Sequence, residues 1–413
     1  MRTPKSERTP VHSISLPESW KASATPSRRW KVLPAPPSPR ALSRLREHAL
    51  TQGIEVEAYT IAVPEYYIGR RTDYPSRSLV EKGEAFVYDK SIGIEYNTRP
   101  CQTVREMYFA LKTGLRKFIR RLYRSHGPGE EFLSVFLAGG WRDRFAGSHL
   151  HLGVEDGSLK VSEANALAQH LHDQIPLMIA ILANSPVWRD RLTSFADNRL
   201  LRCTDEYCLI LPRGRLSSYH YHEMNANGPT KRKPLTVEIR IGDSNLPEFL
   251  CAAQTVAKAV AIRAVDGFPP ANLLTHGQYV RSRLSAARRG ATSRLYWRGR
   301  SIPFAEYLDR FLDAHADALD QMEVPDEVVE TFKLLKRGID GATLQRRAVL
   351  SLRRRYPRAW QRQFARRYVA AIEKLLGGET LTVFARELGV RLPDTRRTRL
   401  GRRRDWEGRF SGR

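Results

Sequence analysis

Pairs of polar residues separated by one position recur in four stretches of this sequence that otherwise alternate with apolar residues. Residues at i and i+2 of a β-strand face the same side of a sheet. The period of two therefore predicts four half-buried strands whose second faces carry acids, amides and imidazoles. The paired side chains are Glu55 with Glu57, Glu95 with Asn97, His149 with His151, and Glu238 with Arg240.

The chemistry of this set depends on whether the four strands share one sheet. On a shared face, so many carboxylates would repel one another, and some would have to bind protons. A divalent cation removes that difficulty. Carboxylates with few imidazoles suit hard ions such as Mg²⁺ or Mn²⁺ better than zinc, which favours Cys and His. A solvated polar face is the simpler interpretation of any one strand, but the recurrence favours a divalent metal site on the sheet.

The order of the predicted elements is typical of an α+β fold with a mostly antiparallel sheet and flanking helices. The predicted strands cover about 54–62, 85–89, 91–97, 132–138, 148–154, 206–211, 217–222 and 235–243. The predicted helices cover about 102–124, 161–183, 246–265, 278–288, 303–318, 326–337, 342–353, 358–376 and 380–388.

The positive charge of the chain, +25 in all, lies mainly at its two ends. Residues 1–45 carry nine basic and two acidic side chains, and residues 341–413 carry twenty and six. The N-terminal end is rich in Ser, Pro and Arg, which predicts a disordered basic tail over 1–45. We expect the site in a domain over 46–320, followed by a helical basic extension over 321–413 with a disordered end.

The cysteines and the apolar runs bear on location. Cys101, Cys203, Cys208 and Cys251 have no CxxC spacing, so we expect reduced thiols, with Cys251 packed in an apolar helix. The first residues lack the apolar run of a secretory signal. No stretch approaches the ~20 apolar residues of a membrane span. These features predict a soluble, cytoplasmic protein without a membrane partner.

Five segments in order resemble the carboxylate–amine ligases. They are Gly-Ile-Glu-Val-Glu at 53–57, Glu-Tyr-Asn-Thr-Arg-Pro-Cys at 95–101, Gly-Ser-His-Leu-His-Leu-Gly-Val at 147–154, Asn-Ser-Pro at 184–186, and Thr-Val-Glu-Ile-Arg at 236–240 with Asp243. More closely, they resemble the bacterial glutamate–cysteine ligase-like enzymes of the second type, which share the glutamine synthetase fold. The Arg-rich segment 283–290 resembles a basic segment of that family. The resemblance covers roughly 50–318.

This resemblance implies a curved, mostly antiparallel sheet, with ATP and the substrates entering from opposite ends. It also implies two metal positions, holding Mg²⁺ or Mn²⁺. The first would be held by Glu55, His149 and Glu238, and Glu57 and Glu95 would contribute to the second.

The resemblance further implies which residues would touch ATP and the reacting groups. His151 would lie near the ATP phosphates, and Arg199, with Arg202, would contact the transferring phosphate. Arg240 would meet that phosphate or the substrate carboxylate. The implied catalytic residues are Arg199, Arg240 and Glu95.

The implied reaction accounts for these residue types. An amine does not attack a carboxylate directly, because oxide is too poor a leaving group. Transfer of the γ-phosphoryl group of ATP gives an acyl phosphate, which an amine attacks. Phosphoryl transfer needs positioning and charge neutralisation, and arginines and metals supply both. The expected partners are a small-molecule carboxylate, such as that of glutamate, and an amine.

Departures from the family pattern leave the substrate open. The loop after Pro186 lacks expected glycines, segment 211–232 has no match, and the basic extension beyond about 320 is not part of the pattern. His220 and His222 repeat the i, i+2 pairing, and a site role and a surface role stay open for them.

Three other functions remain possible from the sequence. The chain could also form a homo-oligomer. The carboxylate could belong to a protein or a peptide tag rather than a free amino acid. A guanidino phosphotransferase has a similar architecture, but it relies on arginines more than on protein metal ligands. An inactive ligase-like protein could bind nucleic acid or another acidic macromolecule through its basic tails.

Overall fold

A computed structural model gives the fold, and it describes residues 33, 35, 37–69, 79–81, 84–87, 92–124, 132–202, 208–210, 216, 222–227 and 234–401. These residues form the predicted α+β fold, with helices packed around a sheet whose strand pairs are antiparallel. The strands of this sheet are β1 (Leu50–Val63), β2 (Tyr67–Gly69), β3 (Leu79–Glu81), β4 (Glu84–Val87), β5 (Ile94–Asn97), β6 (Phe132–Phe136), β7 (Gly147–Val154), β10 (Met224–Asn227) and β11 (Thr236–Asp243).

Strand β1 is the centre of the sheet, whose order is β10-β11-β7-β1-β5-β4-β3. The first half of β1 pairs with β7 on one side and β5 on the other, and its second half pairs with β2 and β6. Ile54, Val56 and Ala58 alternate inward and are each 1% exposed, which fixes the other face of β1 for its acids.

Two predicted strands fall largely in the part of the chain that the structure does not describe. Most of 206–211 and 217–222, including His220, lies outside the described residues. Where this part is described, Leu209 and His222 form an isolated bridge.

Twelve helices are described, and nearly all of them match predicted ones. They are α1 (Val104–Arg124), α2 (Val161–Leu171), α3 (Ile175–Leu182), α4 (Asn198–Arg202), α5 (Pro247–Val265), α6 (His276–Arg289), α7 (Phe304–Ala314), α8 (Ala316–Asp320), α9 (Asp326–Lys336), α10 (Gly341–Arg355), α11 (Trp360–Leu376) and α12 (Leu381–Glu387). Helix α5 is buried around almost its whole circumference, as expected of a helix that is apolar on every side.

The single helix predicted over 161–183 is wrong in its middle. Helix α2 ends at Leu171, a 3₁₀ turn covers His172–Gln174, and α3 begins at Ile175. Pro176 explains the break, because it has no amide hydrogen and its ring clashes with the carbonyl four residues earlier.

The N-terminal tail ends earlier than predicted. A 3₁₀ helix covers Pro39–Glu47 and buries Leu42 and Leu45 against the core. The guanidinium of Arg44 donates to both carboxylate oxygens of Glu163 in α2, at 2.7 Å each. Residues 39–45 are therefore part of the folded body, and disorder over the preceding residues stays a prediction.

The helices predicted in the C-terminal extension are present, and they share the core of the sheet. On α11, Phe364 stacks on Trp141 at 4.9 Å between ring centroids, and the hydroxyl of Tyr368 accepts a hydrogen bond from the Leu137 amide at 3.1 Å. The residues that the structure describes share one main hydrophobic core. The extension is thus packed as part of the domain that holds the sheet.

A hairpin that was not predicted joins α6 to α7. Its strands are β12 (Arg294–Trp297) and β13 (Arg300–Pro303), and a further two-stranded ribbon is formed by β8 (Val187–Trp188) and β9 (Arg191–Leu192). In the turn between β12 and β13, Arg298 and Gly299 both have positive φ, 44° and 83°, as a two-residue hairpin turn of type I′ requires. Arg-Gly is a weaker turn signal than Asn-Gly, so the sequence did not reveal it.

The described cysteines agree with the prediction of reduced thiols. Cys101, Cys208 and Cys251 are buried and unbridged, and Cys251 packs within α5; Cys203 lies outside the described residues. Among the helices described, none has the length and apolar character that crossing a bilayer would require.

Candidate functional site

The four strands with paired polar residues are neighbours in the sheet, in the order β11-β7-β1-β5. Glu55 of β1 lies directly opposite His149 of β7, and His151 of β7 lies directly opposite Glu238 of β11. Directly opposite residues point to the same face of an antiparallel sheet. The predicted shared face is therefore present.

Polar residues also lie opposite one another in the strand pairs on either side of this cluster. Glu55 faces Asn97 across the β1–β5 pair, and Glu57 faces Glu95. On the far side of β11, Asn225 of β10 lies opposite Glu238. Asn225 was not predicted, although Met-Asn-Ala-Asn at 224–227 repeats the i, i+2 polar pairing that marks the other strands.

Three side chains are close enough together to hold a metal ion. One ligand atom each from Glu55, His151 and Glu238 lies within 4.8 Å of the other two. The family resemblance implied His149 rather than His151 in this group. The Nδ1 atom of His149 lies 3.2 Å from Glu55 and 3.2 Å from Glu238, so it touches both carboxylates. Two carboxylates and one imidazole form a donor set that suits Mg²⁺ or Mn²⁺.

The orientation of His151 supports a ligand role. Its Nδ1 lies 3.0 Å from Oγ1 of Thr236 on β11, and its Nε2 lies 3.6 Å from Oε1 of Glu55. When Nδ1 donates to the threonine hydroxyl, the lone pair is on Nε2, which is the side of the carboxylates. Such an outer hydrogen bond commonly fixes the tautomer of a metal-binding histidine.

The two carboxylates of this group are held in their charged form. Burial by itself would raise the pKa of Glu55, but His151 and His149 more than offset it, and the pKa is held well below its usual range. Burial opposes charge on Glu238 as well, and His149, His151 and Arg240 together lower its pKa. These contacts favour the ionised form of both carboxylates, which is the form that binds a metal ion.

Arg199 approaches this face from α4. Its side chain is buried, with the residue 7% exposed, and its Nη2 donates to the backbone carbonyl of Arg240 at 3.0 Å. A Cβ atom at Gly147 would come within 2.8 Å of Nη2, so the guanidinium packs directly on that glycine of β7. Its Nη1 is buried and has no hydrogen-bond partner among the residues that the structure describes.

The charge of Arg199 is secured by its surroundings. Burial alone would lower the pKa of this guanidinium, but Cys208, Asp243 and Glu57 raise it further than burial lowers it. A buried, permanently charged guanidinium with an unused donor is suited to an anion such as a phosphoryl group.

Two buried acids, to which the sequence analysis gave no role, lie near Arg199 and help to raise the pKa of its guanidinium. The hydroxyl of Ser185 donates to Oδ2 of Asp243 at 2.7 Å and lies 3.4 Å from Oδ1 of Asp197. Burial raises the pKa of Asp197 to about 6, and burial together with Asp197 raises the pKa of Asp243 well above its usual value. Asp197 has no pattern in the sequence that marks it. Asp243 was noted only as part of the family resemblance.

The remaining predicted residues lie at different distances from this cluster. Glu57 accepts a hydrogen bond from the Gly147 amide, which joins it to the strand that supports Arg199. Arg202 is at the exposed end of α4, where it donates to Asn198 at 3.0 Å and lies over the ring of Trp188. The first partner is on α4 and the second is on β8, and contact of Arg202 with the transferring phosphate stays a prediction.

The chain is similar in sequence to known ligases over part of its length. Residues 138–223 match the model of glutamate–cysteine ligase family 2 (GCS2), a stretch with His149, His151 and Arg199 but without Glu55 and Glu238. A Clavibacter sepedonicus protein named "Putative glutamate--cysteine ligase 2" is 44% identical over 55 residues, 13% of each chain. One of the same name from Bradyrhizobium diazoefficiens is 25% identical over 253 residues, 53% of this chain and 55% of that protein. The chain thus spans about half, or less, of the length of these relatives.

In fold, the chain is similar to the Pup ligase PafA. A crystal structure of PafA with the prokaryotic ubiquitin-like protein Pup has a TM-score of 0.54 at 13% identity and covers 84% of this chain and 80% of that one. A structure of PafA with ADP has a TM-score of 0.50 at 14% identity and covers 78% of each chain. At this identity the likeness concerns the fold alone. Together with the sequence matches, it confirms the predicted resemblance to the carboxylate–amine ligase superfamily.

Proposed function

We propose that this chain, which is similar in sequence and fold to the carboxylate–amine ligases, is an ATP-dependent ligase that phosphorylates a carboxylate and joins it to an amine. The observation that supports this most is the meeting of Glu55, His151 and Glu238 on one sheet face, beside the buried guanidinium of Arg199. Metal-binding anions next to a fixed cation are the parts that phosphoryl transfer needs.

Each side chain has a role in this proposal. Glu55, His151 and Glu238 hold Mg²⁺ or Mn²⁺, and Glu57 and Glu95, opposite one another on β1 and β5, contribute to a second position. When bound, these metals supply positive charge that neutralises phosphate oxygens. Arg199 donates from its buried Nη1 to the phosphoryl group in transfer. Arg240, two residues after Glu238 on β11, contacts that group or the carboxylate that receives it.

The substrates are proposed only as chemical classes. The partial match to glutamate–cysteine ligases favours a free amino-acid carboxylate. The fold of PafA, whose structure includes a protein partner, makes a protein or peptide carboxylate the second option. Glutamate is the first small molecule to test for the carboxylate, and cysteine for the amine.

The test is release of ADP and phosphate from ATP with Mg²⁺, with amino acids offered singly and in pairs. A parallel arm offers acidic peptides together with lysine-containing proteins. Release that requires both a carboxylate and an amine, with an amide product detected by mass spectrometry, is the expected result. Transfer of phosphate to a guanidino compound without condensation would replace the proposal by a phosphotransferase. No stimulation by any pair would contradict it.

A second candidate function rests on a groove of about 840 Å³ on the C-terminal helices. Arginines at 337, 347, 391 and 396 line it, and Asp394 is the acid among its lining residues. Asp394 is paired with Arg396 at 2.7 Å, and Arg347 and Arg391 have no ion-pair partner among the described residues. We infer that an acidic macromolecule binds here. Among the lining side chains there is no aromatic ring on which a base could stack, which favours an acidic protein segment over single-stranded nucleic acid.

Binding of a labelled acidic peptide, with a labelled oligonucleotide as the other arm, tests this second function. Arg347→Glu with Arg391→Glu should abolish peptide binding. Arg354→Glu with Arg358→Glu is the matched control, because both arginines are exposed and lie outside the groove. This double substitution changes the net charge by the same amount as the one in the groove. Equal losses in the two double variants, or oligonucleotide binding alone, would contradict the assignment.

A further inference from the structure

The first turns of helix α10 contact the chain segment that leads to Arg199. The amide of Ala342 donates to the carbonyl of Ala183 at 2.9 Å. The side-chain Nε2 of Gln345 donates to Oδ1 of Asn184 at 2.7 Å, and it lies 3.3 Å from the carbonyl oxygen of the same residue. Gln345 and Asn184 are both buried, at 4% and 2% exposed, and Nε2 of Gln345 is the donor that Oδ1 of Asn184 has among the described residues.

A second side chain of α10 holds the loop just before α4. The guanidinium of Arg346 donates to the carbonyls of Thr193 and Phe195. The hydroxyl of Thr193 in turn accepts from Nδ2 of Asn198, the first residue of α4, at 2.8 Å. Arg346 therefore closes this loop against the helix that carries Arg199.

The contacts of Asn184 continue to Arg199 itself. The amide of Asn184 donates to Oδ2 of Asp243 at 2.7 Å, and the same oxygen accepts from the hydroxyl of Ser185. Nδ2 of Asn198 donates to the carbonyl of Ser185, and the amide of Arg199 donates to its hydroxyl at 3.3 Å. Two residues, Asn184 and Ser185, thus separate Gln345 from the backbone of Arg199.

The start of α10 is held by hydrogen bonds and close packing. These contacts fix the positions of Gln345 and Arg346 relative to the segment that leads to Arg199. Asp340 caps the helix by accepting from the Thr343 amide at 2.6 Å, and its other oxygen accepts from the Ala291 amide at 2.6 Å. A Cβ atom at Gly341 would lie 2.6 Å from Oδ1 of Asn184. This close approach leaves no room for the helix to shift toward the site.

We propose that α10 is a positioning element of the active site, in which Gln345 and Arg346 hold Arg199 in register with the transferring phosphoryl group. The inference rests on the role proposed for Arg199. Neither residue touches Glu55, His151 or Glu238 in the described contacts, so both act through Asn184 and the loop at 193–195. An error of about 1 Å in the position of a catalytic group costs up to about 10²-fold in rate. Buried neighbours must therefore fix the guanidinium before ATP arrives.

The first experiment compares Gln345→Glu with Gln361→Glu. Both changes keep the side-chain shape and replace an amide by a carboxylate, but Gln361 is exposed on α11. In Gln345→Glu we expect kcat to fall about 10- to 100-fold. The KM for ATP and the Kd for Mn²⁺ should stay within about twofold of the wild-type values, because the metal ligands lie on strands β1, β7 and β11, which Gln345 does not contact. Gln361→Glu should match the wild type. A general loss of folding would instead raise the Mn²⁺ Kd and lower kcat together, and this outcome would overturn the proposal.

A double-mutant cycle with Arg199→Lys identifies the residue through which Gln345 acts. If Gln345 works through Arg199, Gln345→Glu lowers kcat much less in the Arg199→Lys background than alone. Additive losses would mean that Gln345 acts elsewhere, and the proposal would be wrong.

Hydrogen exchange separates this proposal from the proposed function. Amides over 183–200 should exchange faster in Gln345→Glu and in Arg346→Ala, while those of β1 and β7 stay unchanged. Unchanged exchange over 183–200 overturns the positioning role whatever the turnover. Suppose that the wild type turns over no substrate pair, while the amides over 183–200 still exchange faster in the two variants. This result would contradict the ligase function and leave the link from α10 to Arg199 standing.

Discussion

The guanidinium of Arg240 donates from Nη1 to Oε1 of Glu238, two residues earlier on β11. This ion pair joins the strand's cation to a carboxylate that also lies 3.2 Å from Nδ1 of His149. A divalent cation among Glu55, His151 and Glu238 would compete with Arg240 for that carboxylate. In the proposed function, the pair would therefore couple metal binding to the freedom of Arg240 to reach a substrate.

Arg240→Gln should bind Mn²⁺ more tightly, by about 3- to 10-fold, because it removes a competing cation from Glu238 and a positive charge from the metal's surroundings. Turnover should nevertheless fall, since the variant has no cation for the phosphate or carboxylate. Titration of Mn²⁺ followed by electron paramagnetic resonance measures the first effect. Arg191→Gln is the control, because Arg191 is exposed on the β8–β9 ribbon and is not among the predicted site residues. A weaker Mn²⁺ affinity in Arg240→Gln would refute the competition.

Glu238→Ala should abolish ATP turnover while the protein stays folded. The change removes one of the two carboxylates of the metal group and an attractive partner of His149. Glu155→Ala, at an exposed acid just after β7, should leave turnover unchanged. Circular dichroism checks the fold, and ADP release checks the activity. Turnover close to normal in Glu238→Ala would sink the site assignment.

His151→Ala should weaken Mn²⁺ binding by at least tenfold, and His149→Ala by less. The reason is geometric, because Nε2 of His151 belongs to the three-ligand group, whereas Nδ1 of His149 already contacts both carboxylates. His149 then orients the ligands rather than binding the ion. Calorimetric titration of each variant with Mn²⁺ measures the difference. The reverse ranking would restore the assignment that the family resemblance implied.

Gly147→Ala should lower turnover without unfolding the protein. The added methyl group would meet Nη2 of Arg199 at 2.8 Å and push the guanidinium away from its position. Gly53→Ala is the matched control on the neighbouring strand β1, where the added atom would lie 3.5 Å from the Thr98 hydroxyl, an ordinary contact. Thermal unfolding of both variants should be similar, and their kcat values should differ. Equal kcat values would show that the position of Arg199 is unimportant.

Stability should fall as the pH drops from 6.5 toward 4, because of buried His315. Burial, aided by Arg263 and opposed by the hydrogen bond to the Phe311 carbonyl, lowers the pKa of His315 from 6.5 to about 4. A base with a lowered pKa favours the folded state when neutral, so its contribution is complete above pH 6.5. At pH 5 the unfolded chain binds the proton more readily, and the loss for this one group is about 2 kcal/mol.

Urea unfolding at pH 7.5 and pH 5 measures this effect. His315→Gln keeps a donor for the Phe311 carbonyl but does not titrate, so its stability should depend less on pH than that of the wild type by about 2 kcal/mol. The comparison cancels the contributions of other titrating groups. An identical pH dependence in both proteins would show that His315 is not the group responsible.

The sequence by itself determined most of the helices, the four strands with paired polar residues, and the side of each of these strands that carries chemistry. Alternation places Glu55 with Glu57, and His149 with His151, on one face wherever the strand lies, because side-chain direction in a strand is a local property of the backbone. Helix lengths followed in the same way from their apolar period. Even the break near Pro176 was readable in principle, since proline disrupts a helix by local geometry.

The tertiary structure alone decided which strands are neighbours and which side chains meet. Strand β7 lies between β1 and β11, so His151 is brought to both Glu55 and Glu238, although the three residues are far apart in the chain. The contact of Gln345 with Asn184 spans 161 positions, and no local pattern marks either partner. Strand order, register and such buried hydrogen bonds result from packing between distant segments, and the periodicity of a single segment contains no information about its partners.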